Sequence, residues 1–246
     1  MMRILLLGGT GEGRRLAGVL SRHHDVVSSL AGRISAPTLP EGEVRIGGFG
    51  GAGGLSSWLR EQRISALVDA THPYAQGITA NAVVAARAAQ VPLLVVHRAP
   101  WHPVVGDTWR WADTMDDAYM LADSYRTPVF LTIGRQELRA FEGLPEVVAR
   151  VIEPPGCSLP SSWHVITQRG PFSVSGERAL MERHRIGVVV TKNSGGDQTC
   201  AKLVAARQLG IPVVVVRRPA LPSGTAAVSS PRAAVQWIDA LTRGAE

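Results

Sequence analysis

Aromatic residues are scarce in this chain, 5% of 246, and there are only two cysteines. Few aromatics argue against a β-sandwich built on aromatic turns. Cys157 and Cys200 match no metal-ligand spacing and no disulfide framework, so neither a zinc module nor a stapled secreted domain is expected. Long apolar runs are missing too. The longest resemble Val213-Val214-Val215-Val216, far short of the roughly 18 residues that cross a bilayer. The opening apolar stretch, Ile4 to Leu7, stops at Gly8-Gly9 before reaching the about 7–15 residues of a signal-peptide core, so it reads as a first strand. These absences point to a cytoplasmic protein with no membrane partner.

The net charge is +6, from 26 Lys and Arg against 20 Asp and Glu. No basic run exists, and aromatics seldom alternate with Arg or Lys, which disfavours nucleic acid as a partner. A polyanionic small molecule stays open, because the planar fork of arginine suits carboxylates and phosphates. Several catalytic signatures are also absent: H-E-x-x-H, a nucleophile elbow, and the Tyr-x-x-x-Lys of short-chain dehydrogenases. Gly8-x-x-x-x-Gly13 is followed by Arg14-Arg15 rather than Lys and Ser or Thr, so no P-loop is expected. Nothing here marks a hydrolase or a kinase.

What is abundant is Ala, Val, Leu and Gly, within a hydrophobic share of 45%. Short Val-rich runs alternate with Ala-rich segments of helical spacing, the pattern of a parallel sheet flanked by helices. Strands are expected at residues 3–7, 26–30, 44–46, 66–70, 93–96, 129–132, 147–151, 163–167, 187–190 and 213–216. Helices are expected at 13–22, 55–62, 77–89, 115–124, 136–141, 173–184, 198–209 and 231–242. The glycine-rich piece 47–54 is either a flexible loop or a turn close to a ligand. Residues 97–113 contain Pro100, Pro103 and three of the six tryptophans without a clear period, and read as a linker or crossover.

An internal repeat organises the chain. Residues 68–98 align without gaps with residues 188–218 at an offset of 120: Thr71 with Thr191, Thr79 with Thr199, Val84-Ala85-Ala86-Arg87 with Val204-Ala205-Ala206-Arg207, and Pro92, Val95, Val96 and Arg98 with Pro212, Val215, Val216 and Arg218. The expected fold is two Rossmann-like parallel-sheet α/β domains with a cleft between them: a first domain over 1–98 and a second over 99–246. Loops at strand carboxyl ends then carry the chemistry, where open α/β sheets bind ligands.

Four loops stand out. Gly8-Gly9-Thr10-Gly11-Glu12-Gly13-Arg14 follows the first strand and opens the first helix, where glycines let backbone approach a phosphate and the helix N-terminus offers N–H groups. Reading Gly9-x-Gly11 as the start of the dinucleotide fingerprint puts Arg14 where a third glycine belongs, so Arg14 either shifts the helix or points at an anion. Ser28-Ser29-Leu30-Ala31-Gly32-Arg33, after the second strand, lacks the acid that holds a ribose 2′-hydroxyl; Ser29 and Arg33 would suit a 2′-phosphate, favouring NADPH over NADH. Thr71-His72-Pro73-Tyr74 supplies an imidazole with an unperturbed pKa of about 6.5 and a ring that can stack on a flat ligand. Thr191-Lys192-Asn193-Ser194-Gly195-Gly196 is the equivalent loop of the second half, and Thr132-Ile133-Gly134-Arg135 is a further one. The expected cofactor contacts are therefore Gly8, Gly9, Thr10, Gly11, Glu12, Ser29, Arg33, Thr71, Ser194, Gly195 and Gly196. Arg14, Arg135 and Lys192 are expected to hold substrate anions, with Lys192, His72 and Tyr74 as candidates for proton transfer.

Taken together and in this order, these motifs resemble the precorrin-6A reductase family, and the resemblance spans nearly the whole chain. The quoted pieces are residues 4–17 with Gly-Gly-Thr-Gly-Glu-Gly-Arg, Ser29-Leu30-Ala31-Gly32-Arg33, Asp69-Ala70-Thr71-His72-Pro73-Tyr74-Ala75, Thr132-Ile133-Gly134-Arg135, and Thr191-Lys192-Asn193-Ser194-Gly195-Gly196. The fourth residue from the end of that last motif, Asn193, is Asp in one form of the family pattern. The resemblance implies hydride transfer from NADPH to a carbon–carbon double bond of a metal-free, carboxylate-rich tetrapyrrole, precorrin-6A, giving precorrin-6B in cobalamin biosynthesis. Related enzymes act on the cobalt-bearing substrate with NADH, and a non-catalytic NADP-binding sensor of the same fold is the other alternative. Oligomeric state and the identity of the proton donor stay open.

Overall fold

The computed structural model describes residues 1–32 and 38–244. In chain order the elements are β1 (Arg3–Leu7), α1 (Gly11–Leu20), β2 (Asp25–Leu30), β3 (Glu43–Ile46), α2 (Gly51–Glu61), β4 (Ala66–Asp69), α3 (Gln76–Ala89) and β5 (Leu93–Val96). Then follow β6 (Trp109–Ala112), α4 (Met115–Asp123), β7 (Val129–Thr132), a 3₁₀ helix (Arg135–Phe141), β8 (Val147–Val151), β9 (His164–Thr167), α5 (Val174–Arg183), β10 (Val188–Lys192), α6 (Ala201–Gln208) and β11 (Val213–Val216). The chain ends with β12 (Ala227–Val228) and α7 (Pro231–Gly244). They form two compact units, Met1–Ala99 with Pro219–Glu246, and Pro100–Arg218.

The first unit is a six-stranded sheet in the order β3-β2-β1-β4-β5-β12, with every neighbouring pair parallel. Its strands alternate side chains between two buried faces, as period-2 geometry dictates. Ile4, Leu6, Val68 and Leu94 pack with α1 and α7, whereas Leu5, Leu7, Val27 and Leu67 pack with α2 and α3. The strand order reverses at β1, so β1 and β4 flank the switch point where doubly wound sheets bind ligands.

The second unit repeats this plan in the order β9-β8-β7-β10-β11-β6, again all parallel. Five consecutive positions correspond one to one, with β7 in the place of β1 and β10 in that of β4. The sixth strand differs in origin: β6 precedes the other five in sequence, while β12 follows them. The repeat is therefore real, but its ungapped alignment slips. The ladders pair Leu67 with Leu93 and Val189 with Val213, so β4 and β10 correspond at an offset of 122, while β5 and β11 correspond at 120. The structural equivalent of Thr191 is thus Asp69 rather than Thr71. A slip of two leaves every side chain on its original face, so the hydrophobic pattern cannot reveal it.

Three further expectations are corrected. The second domain does not run to the C-terminus, because residues 219–246 return to the first unit. There α7 buries Ala234 and Ile238 against Leu16, Leu20 and the sheet, covering apolar surface that α1 alone leaves open. The stretch taken as a linker contains a strand: β6 pairs with β11 through Trp109, Arg110, Trp111 and Ala112. Finally, the glycine-rich piece is not wholly a loop, since α2 starts at Gly51. Burial of Leu55 and Leu59 draws it into a helix, and a Cβ at Gly54 would collide with the Phe49 carbonyl oxygen.

Because Ile238 is fully buried in the first unit's core, Ile238→Ala is expected to cost roughly 2–5 kcal/mol in urea unfolding. A loss well under about 1 kcal/mol would show that α7 does not complete that core.

Candidate active site

At the switch point of the first unit, β1 runs into Gly8 and Gly9, and Thr10 caps α1. The Thr10 hydroxyl works in two directions. It accepts from the Gly13 amide at 3.0 Å and donates to the Ala70 carbonyl at 2.7 Å, tying the β1 loop to the end of β4. Gly9 adopts φ +108°, open to a residue without Cβ. Gly13 sits where an added Cβ would lie 3.4 Å from the Gly8 Cα and 3.6 Å from the Ala70 Cβ. The frame that agrees with the observed helix start is Gly8-x-Thr10-x-x-Gly13, with buried Gly13 where α1 meets the ends of β1 and β4. The frame starting at Gly9, with Arg14 in that place, is corrected: helix α1 begins two residues earlier than periodicity suggests. Arg14 is instead a half-buried residue of the second half-turn. The first amides of α1, at Gly11 and Glu12, are among those that a helix start leaves without intrahelical acceptors. Open space around Gly9 and a cap that fixes those amides suit a phosphate.

Glu12 lies in the first turn of α1, but its carboxylate is occupied by Arg98 at 2.7 Å and Arg15 at 3.5 Å. What it can offer a cofactor is its backbone. Across the switch point, buried Asp69 organises the following loop: one oxygen accepts from the Thr71 amide at 3.0 Å and the Thr71 hydroxyl at 2.6 Å, and the other accepts from the Thr79 hydroxyl at 2.6 Å. The Thr71 hydroxyl, expected to meet cofactor, is thus turned toward its own strand. His72 accepts the Tyr74 amide on Nδ1 at 3.3 Å, so a neutral ring carries its proton on Nε2. The two rings lie 5.6 Å apart and tilted.

Further along the sheet edge, Ser29 at the end of β2 is buried, and its hydroxyl lies 3.3 Å from Arg45 Nη1. Arg45, on β3, also donates to the Gly47 and Gly48 carbonyls at 2.6 and 2.5 Å, and its guanidinium stacks 3.8 Å over Phe49. Arg33 lies outside the described residues. The cation that the structure places beside Ser29 is Arg45, which lies in the strand expected at 44–46 and had been given no role.

In the second unit the equivalent switch point carries side-chain charge instead of a glycine cradle. Gly134, at φ +88°, leads into the 3₁₀ helix, and half-buried Arg135 reaches the Pro154 carbonyl at 3.4 Å. Lys192, at the end of β10, approaches Glu137 at 3.3 Å; burial holds its ammonium below the usual lysine range, and Glu137 opposes this. Past it, Ser194 turns back through its amide to the Lys192 carbonyl, and Gly195 and Gly196 take left-handed φ of +67° and +74°. Asn193 is not a substrate-facing amide. Its Oδ1 accepts the Trp101 amide at 2.8 Å and its Nδ2 donates to the Trp101 carbonyl at 3.0 Å, while Trp101 Nε1 donates to the Gly196 carbonyl at 2.9 Å. Arg218 Nε completes the clamp on the Asn193 carbonyl. This corrects the helix start as well: α6 begins at Ala201, because the clamped loop delays it.

Beneath Trp101, Lys202 is buried, donates to the Thr199 carbonyl at 2.8 Å and lies 5.0 Å from the indole. Sequence reading missed Asp69, Trp101, Glu137 and Lys202 as site-building residues. An acid closing a short apolar strand, with Thr71 two residues on, was the available sign for Asp69; the others depend on long-range contacts.

Two doubly wound parallel sheets with loops gathered at their switch points define a Rossmann-like α/β protein. A family model described as "Precorrin-6x reductase CbiJ/CobK" matches residues 3–239. The "Precorrin-6A reductase" of Rhodococcus erythropolis is 51% identical over 247 residues, covering 99% of this chain and 100% of the relative. A "Cobalt-precorrin-6A reductase" of Priestia megaterium is 30% identical, covering 90% and 92%. The solved structure of "CobK precorrin-6A reductase" superimposes with a TM-score of 0.92 at 39% identity, covering 98% and 97%. The chain belongs to the precorrin-6x reductase family, oxidoreductases of cobalamin biosynthesis, and membership implies a nicotinamide cofactor.

Two measurements follow from the second unit. Asn193→Asp removes a donor and sets a carboxylate against the Trp101 carbonyl, so it is expected to cost about 1–3 kcal/mol in denaturant unfolding; an unchanged midpoint would mean that the amide clamp does not form. Lys202 yields a pH dependence. Burial, then Arg150, push its ammonium down to about 7 from an ordinary 10.5, against the opposing pull of Glu177 and Cys200. Between those values the unfolded chain binds the extra proton, so stability rises with pH across that window, and the burial penalty is constant below it. The Tm difference between Lys202→Met and the native protein is expected to move in favour of the native protein from pH 7 to pH 10. A difference independent of pH would place the ammonium in a solvated site.

Proposed function

We propose that this protein reduces one carbon–carbon double bond of precorrin-6A to give precorrin-6B, taking hydride from NADPH and a proton from the medium or a side chain. The observation that carries the reading is the Thr10-capped loop Gly8–Gly13 at the switch point of the first unit, flanked by Ser29 and Arg45 where an NAD-selective sheet would carry an acid. The amides at the start of α1, with Gly8, Gly9 and Gly11, bind the pyrophosphate. Arg45, pre-oriented by Phe49 and by two carbonyls, meets the 2′-phosphate with Ser29. The bound nicotinamide supplies the hydride.

The second unit contributes the substrate's charge partners. Within the second unit, Arg135 and Lys192 serve the arms of a polycarboxylate, and Ser194, Gly195 and Gly196 present backbone in the same loop as Lys192; Arg14 is the first unit's own candidate for an anion. Proton delivery falls to an ionised Lys192, which Glu137 favours in its charged state, or to His72 through Nε2 with Tyr74 beside it. Higher identity to precorrin-6A reductases than to cobalt-precorrin-6A reductases, 51% against 30%, supports the metal-free substrate.

The test is an assay of purified protein with precorrin-6A and each nicotinamide cofactor, following loss of nicotinamide absorbance and the shift in the macrocycle's visible spectrum. NADPH is expected to be preferred. In Arg45→Gln the KM for NADPH should rise about tenfold or more, the worth of one charge-assisted phosphate contact, while the KM for NADH stays put. Equal changes for both cofactors would move the 2′-phosphate away from Arg45.

A further inference from the structure

The ladders that match the two units also match the ends of their second strands: Ile4 pairs with Val26 as Val129 pairs with Val147, so Ser29 corresponds to Arg150. The corner around Ser29 holds a guanidinium stacked on a phenylalanine two residues before the next helix, Arg45 on Phe49 before α2. The second unit repeats the device. Arg150 stacks 3.6 Å over Phe172, two residues before α5. Beside this pair opens a cavity of about 610 Å³, lined by Arg150, Gln168 and Glu177 and by the apolar faces of Ile166, Phe172 and Leu180.

The hydrogen-bond donors and acceptors of this corner are not matched within the protein. Arg150 and Glu177 are both nine-tenths buried or more, and they meet through Nη1 and Oε1 at 2.7 Å. Among the described residues Arg150 has no other ion-pair partner, although a guanidinium carries five N–H donors. Beyond that contact the buried Glu177 carboxylate has no partner, and its Oε2 lacks a hydrogen bond to any described residue. Lys202, also buried, belongs to the same cluster, where burial and Arg150 push its ammonium down to about 7. A buried pair with unused donors on one side and an unused acceptor on the other is costly when left alone.

We propose that the second unit carries its own ligand site at this corner, which takes a carboxylate on a flat apolar body: the carboxylate meets Arg150, an N–H or O–H of the ligand meets Glu177, and the body lies along Ile166, Phe172 and Leu180. Two sources share that chemistry, a carboxylate arm of the tetrapyrrole and a separate small aromatic acid. Only the first source rests on the activity proposed above.

Indole-3-propionate serves as the probe, titrated into full-length ¹⁵N-labelled protein while the Arg150 side-chain N–H and the amides of Phe172, Ser173 and Gly176 are followed by NMR. Substituting Arg150 risks the fold, so the blocking variant is Ala179→Phe, an exposed position on α5 at the cavity wall. Saturable shifts at those groups in the native protein, lost in Ala179→Phe, are expected. If the source is the macrocycle, Ala179→Phe also raises the KM for precorrin-6A about tenfold with the KM for NADPH unchanged. If the source is a separate acid, probe binding is lost and both KM values hold. No saturable shift at millimolar probe, with unchanged kinetics in Ala179→Phe, overturns the site. A native protein that fails to oxidise NADPH with precorrin-6A strikes the proposed activity instead and leaves the titration standing.

Discussion

Parallel pairing throughout each sheet is the constraint on which the rest depends. When all six strands run one way, every strand's carboxyl end emerges along one edge, and every returning segment must cross a face. In the first unit the crossings α1, α2 and α3, together with α7 after the last strand, cover both faces with apolar side chains. The edge is then free for loops that do not have to build core. At the reversal of strand order the crossings part to opposite faces, and there the loops after β1 and β4 meet. Thr10 closes that junction through a single hydroxyl that accepts from Gly13 and donates to Ala70. Serine could make both bonds but would lose the methyl packing, whereas valine would keep the shape and leave the buried Ala70 carbonyl without its partner.

The two units use the same edge with different chemistry. In the first, glycines and a capped ten-residue helix present backbone amides, which suits an oligophosphate whose charge is spread over several oxygens. In the second, the corresponding helix is a 3₁₀ segment of seven residues, too short and too tightly wound to present the same amides. Its loop tips carry Arg135 and Lys192 instead. Cations on side chains suit carboxylates distributed over a larger body, since each can adjust separately. The scaffold thus keeps one topology in both units while one edge presents backbone amides and the other presents side-chain cations.

Periodicity made most of this fold legible. Strands such as Arg3–Leu7, Val129–Thr132 and Val213–Val216 read directly, because short Val- and Leu-rich runs bounded by Gly or Pro have few other uses. What escaped was set by distant partners. Trp109 to Ala112 alternates as Trp-Arg-Trp, but four residues inside a stretch rich in Pro and Trp are too few to establish a period, and pairing with β11 makes them a strand. The return of α7 to the first unit depends on which sheet face lacks cover, a property of neither α7 nor its linker. The site loops were placed by motif, but the internal partners of their side chains were not: Thr71 and Glu12 bond Asp69 and Arg98, and Asn193, which had been given no role, bonds Trp101. Sequence names the loop that carries polar groups; it does not say which of them the protein has already used.

That distinction bears on the buried charges of the second unit. Arg150, Glu177 and Lys202 lie where Leu or Val would pack at lower cost, and replacing buried ion pairs by apolar residues is often neutral or stabilising. Phe130 and Phe172 flank the Arg150 guanidinium at 5.0 and 3.6 Å, fixing its plane but offering it no acceptor. A cluster kept only for stability would satisfy its polar atoms internally, as Asp69 does by accepting from Thr71 and Thr79. The Asp69 network is closed and shapes a loop; the Arg150 network is open toward a cavity. Closed and open polar networks at equivalent edges of one duplicated fold separate residues that hold the frame from residues that await something outside it.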